Sequence, residues 1–158
     1  MKLNNKESIL IKKLLTNDIV DKNSLLKKLV SYIYDYFWEF EKKRLNKKKL
    51  FGILLKKIKN KNNFYFLILK EKRIIGFVHI YKTKKFLDLC LIYIEKGFRR
   101  KGIGKKVISY LKDYFKKKLM NKKIKYFRIE INSKNYSSQK FFKKLGAEEE
   151  SRIYFLKI

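Results

Sequence analysis

The 158-residue sequence predicts a mixed α/β fold: a mostly antiparallel sheet of six or seven strands with helices on both faces. Three observations predict it. Apolar runs at residues 64–70, 74–81 and 86–94 are separated only by short polar turns, which reads as an antiparallel meander. A long helical stripe at 103–120 leads to a further strand at 125–131, a β-α-β crossover. Two more helical stripes precede the meander. No repeat or linker interrupts this order, so residues 1–158 read as a single domain.

In chain order, residues 8–14 read as a short first strand. Asp21, Asn23 and Ser24 then offer helix caps. Leu26, Leu29, Val30, Ile33, Phe37 and Phe40 recur at three- and four-residue steps, one face of a helix. Tyr32, Tyr36 and Trp38 lie partly off that stripe, where they can line a cleft or pack against a neighbouring helix. After a polar break at 44–49, Leu50, Phe51, Leu54, Leu55 and Ile58 mark a second helix. The hairpin turn falls at Glu71-Lys72-Arg73, and His79 reads as an ordinary side chain of the hairpin's second strand. The run at 86–94 is almost wholly apolar, as a central strand covered on both faces requires. Ile103, Val107, Leu111, Tyr114 and Leu119 trace the long helix. A short helix from Asn135 ends at Leu145-Gly146, with glycine at its C-terminal cap. Residues 147–158 predict one more strand or a bent pair.

A 46% hydrophobic fraction excludes a disordered basic tail. The formal net charge is +29, with lysines spread over every segment and alanine present only as Ala147. That spread reads as the codon bias of an AT-rich genome rather than a nucleic-acid footprint, so no specific nucleic-acid partner is expected. Cys90 is the only cysteine, so an intrachain disulfide is excluded and a metal site is not expected. Its apolar neighbours predict a buried, inert thiol in a reducing cytoplasm. No apolar run approaches the roughly 18 residues of a membrane span.

The chemistry concentrates in Arg99-Arg100-Lys101-Gly102-Ile103-Gly104-Lys105, between the apolar strand and the long helix. Two glycines one residue apart allow a tight turn and close approach of backbone to a ligand. A helix starting there aims unpaired N–H groups and its positive dipole end outward, which suits phosphate.

The Arg-x-x-Gly-x-Gly motif resembles the pyrophosphate loop of the GNAT superfamily of N-acetyltransferases. Two further segments fit that family in the right order. Ile75-Gly76-Phe77 resembles the start of its third strand. Asn135-Tyr136-Ser137-Ser138-Gln139-Lys140-Phe141-Phe142-Lys143-Lys144-Leu145-Gly146-Ala147 resembles its Asn-x-x-Ala/Ser-x-x-Leu/Phe-Tyr-x-Lys-Leu-Gly-Phe segment.

The resemblance implies one acetyltransferase domain whose sheet is splayed between its fourth and fifth strands, with acetyl-CoA as co-substrate. The backbone of Ile92, Tyr93 and Ile94 would pair with the pantetheine amides. Arg99 opens the pyrophosphate loop, whose amides from Arg100 to Lys105 would hold the diphosphate. Asn135 would bond the pantetheine arm or hold the splay open, and it is also a favoured helix cap. Ser138 and Phe142 complete the cofactor segment. The family often has a tyrosine at the place of Phe142, to protonate the leaving thiolate; phenylalanine has no proton to give.

Two carboxylates fit the place of a base. Asp88 matches the glutamate of histone-type members, and Glu130 that of ribosomal-protein-type members. An ammonium acceptor must lose a proton before it attacks the thioester, and a carboxylate between apolar neighbours on a strand should be the more basic for it. The implied reaction is direct attack by a primary amine in a ternary complex. A protein N-terminus, lysine, polyamine, aminoglycoside or small metabolite fits as acceptor, and a monomer or homodimer as assembly. The alternatives are a non-catalytic acyl-CoA binder, suggested by Phe142, and a basic nucleic-acid-binding module, suggested by the charge.

Overall fold

The computed structural model describes residues 8–15, 18, 23–42, 44–119 and 124–150. The elements are β1 (Ile9–Lys13), α1 (Asn23–Glu41), α2 (Lys47–Lys59), β2 (Asn63–Lys70), β3 (Arg73–Lys82), β4 (Leu87–Ile94), α3 (Ile103–Lys118), β5 (Phe127–Arg128) and α4 (Tyr136–Lys144). The strands form one sheet in the order β1-β2-β3-β4-β5. The first four are antiparallel; β5 joins β4 in parallel, as the crossover through α3 requires. The predicted last strand lies mostly in residues 151–158, outside the described residues, and 147–150 form no regular element.

Strand alternation sorts the apolar side chains into two cores. Phe64, Phe66, Ile68, Ile75, Val78 and Ile80 point to one face, where Ile103, Val107, Leu111 and Phe115 of α3 and Phe142 of α4 cover them. Tyr65, Leu67 and Phe77 point to the other, beneath Leu26, Leu29 and Ile33 of α1 and Leu54 and Ile58 of α2. Local chemistry sets the helix boundaries. The Asn46 side chain accepts from the Lys49 amide at 3.0 Å and caps α2. Gly146, at φ +80, takes the left-handed conformation that closes α4. Trp38 sits half-exposed under the Arg44 guanidinium.

Strand β4 departs from its expected cover. Its register with β3 passes from Leu89↔Ile80 to Leu91↔His79, so Cys90 is the extra residue of a β-bulge. The bulge changes which residues face which core: Leu87 and Leu89 join the α3 side, as do Ile92 and Ile94 beyond it, while Leu91 and Tyr93 join the α1 side. Cys90 is exposed rather than buried, because among the described residues β5 runs only two residues beside β4 and no strand covers that edge at Cys90. Desolvation still pushes its thiol pKa up, which keeps it a poor nucleophile.

His79 is buried, stacked on Tyr65 at 4.3 Å between centroids, and donates from Nε2 to Asn63 Oδ1 at 2.7 Å. Burial, reinforced by Lys57, lowers its pKa to about 4. Below about pH 6.5 the unfolded chain gains a proton that the folded protein refuses until about pH 4, so acidification across that window favours unfolding. The expected loss is about 3 kcal/mol at the acid end. Urea unfolding of His79→Gln between pH 7 and 4 should show a flatter acid limb than the parent protein.

Candidate functional site

A 3-10 turn at Lys96–Phe98 carries the chain out of β4 into the glycine loop. Arg100, at φ +60, and Gly102, at φ +75, turn the backbone so that Gly102 becomes the N-cap of α3. No side chain caps this helix end, and its first turn holds no acidic residue. The first bond of the ladder runs from the Lys106 amide to the Gly102 carbonyl at 3.2 Å. Among the described residues, the amides of residues 100–105 take no backbone acceptor. A Cβ built on Gly102 meets nothing within 4 Å, so no protein atom packs against that side of the turn. Gly104 serves differently: a Cβ there would lie 3.0 Å from the Phe141 ring, so its hydrogen lets α4 close onto α3. A row of outward amides at a positive helix end, flanked by Lys101 and Lys105, is an anion cradle suited to a diphosphate.

Beside the loop the sheet opens. β4 and β5 pair only at Leu87↔Phe127 and Asp88↔Arg128; past Asp88 no ladder joins them among the described residues. Ile92, Tyr93 and Ile94 lie on the diverging stretch. Their backbone can therefore receive an extended amide-bearing chain as another strand would be received. The Tyr93 ring turns to the other face and stacks on Tyr32 at 4.9 Å. Burial first, then Asp35, raises its phenol pKa.

Asp88 and Arg128 meet at the apex of this wedge. Arg128 donates from Nε to Asp88 Oδ1 at 2.5 Å and lies over the Phe86 ring. This hydrogen bond raises the already high pKa of the guanidinium. Glu130 lies two residues beyond Arg128 and feels its charge. It is exposed rather than wedged between apolar neighbours, because β5 ends at Arg128 and residues 129–135 form no strand.

The remaining predicted positions serve α4 and α1. Asn135 is buried, and its Oδ1 accepts from the Ser138 amide and the Ser137 hydroxyl, both at 3.1 Å, as an N-cap does. Phe142 is buried in the α3-side core, edge-on to Phe141. The Arg99 side chain turns away from the loop amides. It pairs in bidentate fashion with Glu39 of α1, at 2.9 and 3.2 Å. Sequence reasoning missed Glu39, Glu95 and Arg128; single charged residues on a helix, a loop and a strand end carry no periodic signal.

An open sheet edge next to a row of free amides at a helix N-terminus suits an extended amide chain joined to a diphosphate, the chemistry of a CoA thioester. Residues 29–147 match the model of the acetyltransferase (GNAT) family, and the chain belongs to that family. Its co-substrate is acetyl-CoA, and the loop and wedge described above fit that molecule. The protein is accordingly an N-acetyltransferase.

Solved structures share the fold. A possible acetyltransferase from Clostridium difficile 630 is 19% identical, with TM-score 0.70, over 96% of this chain and 99% of that one. The aminoglycoside N-acetyltransferase AAC(6')-Iy in complex with CoA is 14% identical, with TM-score 0.73, over 99% of both chains. The ribosomal-protein-alanine N-acetyltransferase of Brucella melitensis biovar Abortus 2308 is 14% identical, with TM-score 0.68, over 96% and 100%. No curated protein matched the sequence.

Proposed function

We propose that the protein moves the acetyl group of acetyl-CoA directly to a primary amine, with both substrates bound at once. The observation that carries this reading is the wedge itself: it opens beside the amide cradle, with Asp88 at its apex and Glu130 two residues past the end of β5. In this reading the diphosphate sits on the amides of residues 100–105 and the pantetheine arm lies along Ile92–Ile94. The ammonium of the acceptor yields its proton to Glu130, since Asp88 is already engaged by Arg128. The neutral amine then attacks the thioester carbonyl, and β4 amides at the uncovered edge steady the oxyanion. The thiolate leaves without help from residue 142. A thiol of pKa near ~8.5 is a tolerable leaving group, and the proton that the attacking nitrogen sheds as the intermediate collapses reaches the thiolate through water.

The acceptor is proposed to be a cationic amine drawn to these carboxylates. Structural neighbours are named for aminoglycosides and for the alanine of a ribosomal protein, which sets the panel to try. The test is thiol release from acetyl-CoA over aminoglycosides, polyamines, lysine and N-terminal alanine peptides. Turnover with at least one amine, and intersecting rather than parallel double-reciprocal lines, is expected. Parallel lines would mean a covalent acetyl-enzyme and would remove the ternary complex.

The cradle can be tested without an acceptor. Gly102→Val forces a β-branched residue into the left-handed region, which strains the turn that aims the amides. Calorimetric titration should show acetyl-CoA affinity reduced by 100-fold or more. The cost to folding should stay near 1–2 kcal/mol.

A further inference from the structure

All three nitrogens of the Arg99 guanidinium, and three of its five N–H groups, are already engaged by the protein. Nε donates to the Ile94 carbonyl at 2.7 Å, and Nη1 and Nη2 fork onto the Glu39 carboxylate. One face of the guanidinium lies 5.4 Å from the Tyr93 ring centroid. The pair is half-buried, and Glu39 cancels the charge that a phosphate would need. A planar fork on a carboxylate is geometrically demanding, and lysine cannot reproduce it.

The same helix grips the segment leading into the loop at two more places. The Tyr32 hydroxyl reaches Glu95 Oε1 at 2.6 Å and the Ile74 carbonyl at 2.9 Å; Lys28 lies 3.8 Å from the same carboxylate oxygen. Glu95 is held from the sheet side by Arg73, at 2.6 Å. The Tyr32–Tyr93 stack adds an apolar contact. Residues 93–99 are therefore fixed by α1 before the chain reaches its first ligand-facing amide. The aim of those amides depends on where that segment starts.

We propose that Arg99 is a positioning residue: by locking the mouth of the glycine loop to Glu39 of α1, it sets the amide cradle for the co-substrate without touching the phosphate. The proposal rests on the acetyl-CoA reading of the loop. It makes the helix on one face of the sheet part of the cofactor site on the open edge, and it gives Glu39 a role that its distance from the loop amides hides.

The two possible roles of Arg99 differ in sign. If Arg99 positions, Glu39→Gln loosens the loop and weakens acetyl-CoA binding about three- to tenfold, as does Arg99→Gln. If Arg99 contacts phosphate, Glu39→Gln frees a cation and tightens binding. Arg99→Lys separates them again: positioning predicts the same loss as Arg99→Gln, and phosphate contact predicts near-parental affinity. Calorimetry of the full chain with acetyl-CoA at two salt concentrations reads all three variants, with thermal melts in the absence of ligand as the folding control. Parallel losses in Glu39→Gln, Arg99→Gln and Arg99→Lys, with an unchanged salt dependence, support the brace. Unchanged or tighter binding in Glu39→Gln, or full affinity in Arg99→Lys, overturns it. Parent protein that binds no acetyl-CoA overturns the reading of the loop itself, a result visible before any variant is compared.

Discussion

Gly76→Ala should lower the melting temperature by roughly 10 °C, a loss of about 3 kcal/mol or more. A Cβ at this position would sit 2.2 Å from the Tyr93 carbonyl oxygen, 3.1 Å from the Ile94 Cα and 3.2 Å from Ile68 Cδ1. The first two are backbone atoms of the neighbouring strand, so no rotamer change relieves the contact. Gly76 pairs with Ile94, the last residue of β4 before the turn that carries the glycine loop. Strand separation there also moves the loop, so the surviving folded fraction should bind acetyl-CoA poorly. A circular-dichroism melt with and without acetyl-CoA measures both losses. A melt within 2 °C of the parent would show that β3 and β4 have slack at this point and would remove the geometric argument.

Glu130→Gln should reduce kcat/KM for the amine by about 100-fold, the usual worth of a positioned base, with no change in melting temperature. The side chain is exposed and caps no helix, so the fold does not depend on its charge. Acetyl-CoA affinity should be unaffected, because the loss lies in the proton transfer. Asp88→Asn should behave differently. Its carboxylate holds Arg128 across the last paired residues of β4 and β5, so the variant perturbs the apex rather than removing the base. A tenfold loss with a small drop in melting temperature is expected, since the pair is partly solvent-exposed. Steady-state kinetics of the two variants over a range of amine concentrations separates the roles. A larger loss in Asp88→Asn than in Glu130→Gln would transfer the proton to Asp88.

Much of the site was legible from residue order. Gly102 marks the left-handed turn, and the helical stripe that follows places a helix N-terminus behind it, while Gly104, read as part of the same turn, instead makes room for Phe141. Asn135 reads as a cap from its place before a short amphipathic stretch, and it caps α4. Cys90 and Glu130 misled for one reason. Their apolar neighbours suggested burial, but burial depends on what lies beside the strand. There β5 pairs for two residues and then leaves. The bulge at Cys90 has no glycine or proline to announce it.

By itself the sequence determined the order of the described elements, the apolar faces of the helices and of the β2–β3 hairpin, and the glycine turn that opens α3. These follow from side-chain period and from the φ that glycine allows, both local properties of the chain. The tertiary structure alone decided where β4 and β5 part, which carboxylate lies against Arg128, and that Arg99 faces Glu39 sixty residues away. Those outcomes depend on the mutual placement of charges far apart in the chain. A fork of hydrogen bonds between α1 and the loop costs no pattern in either segment, so only the packed fold reveals it.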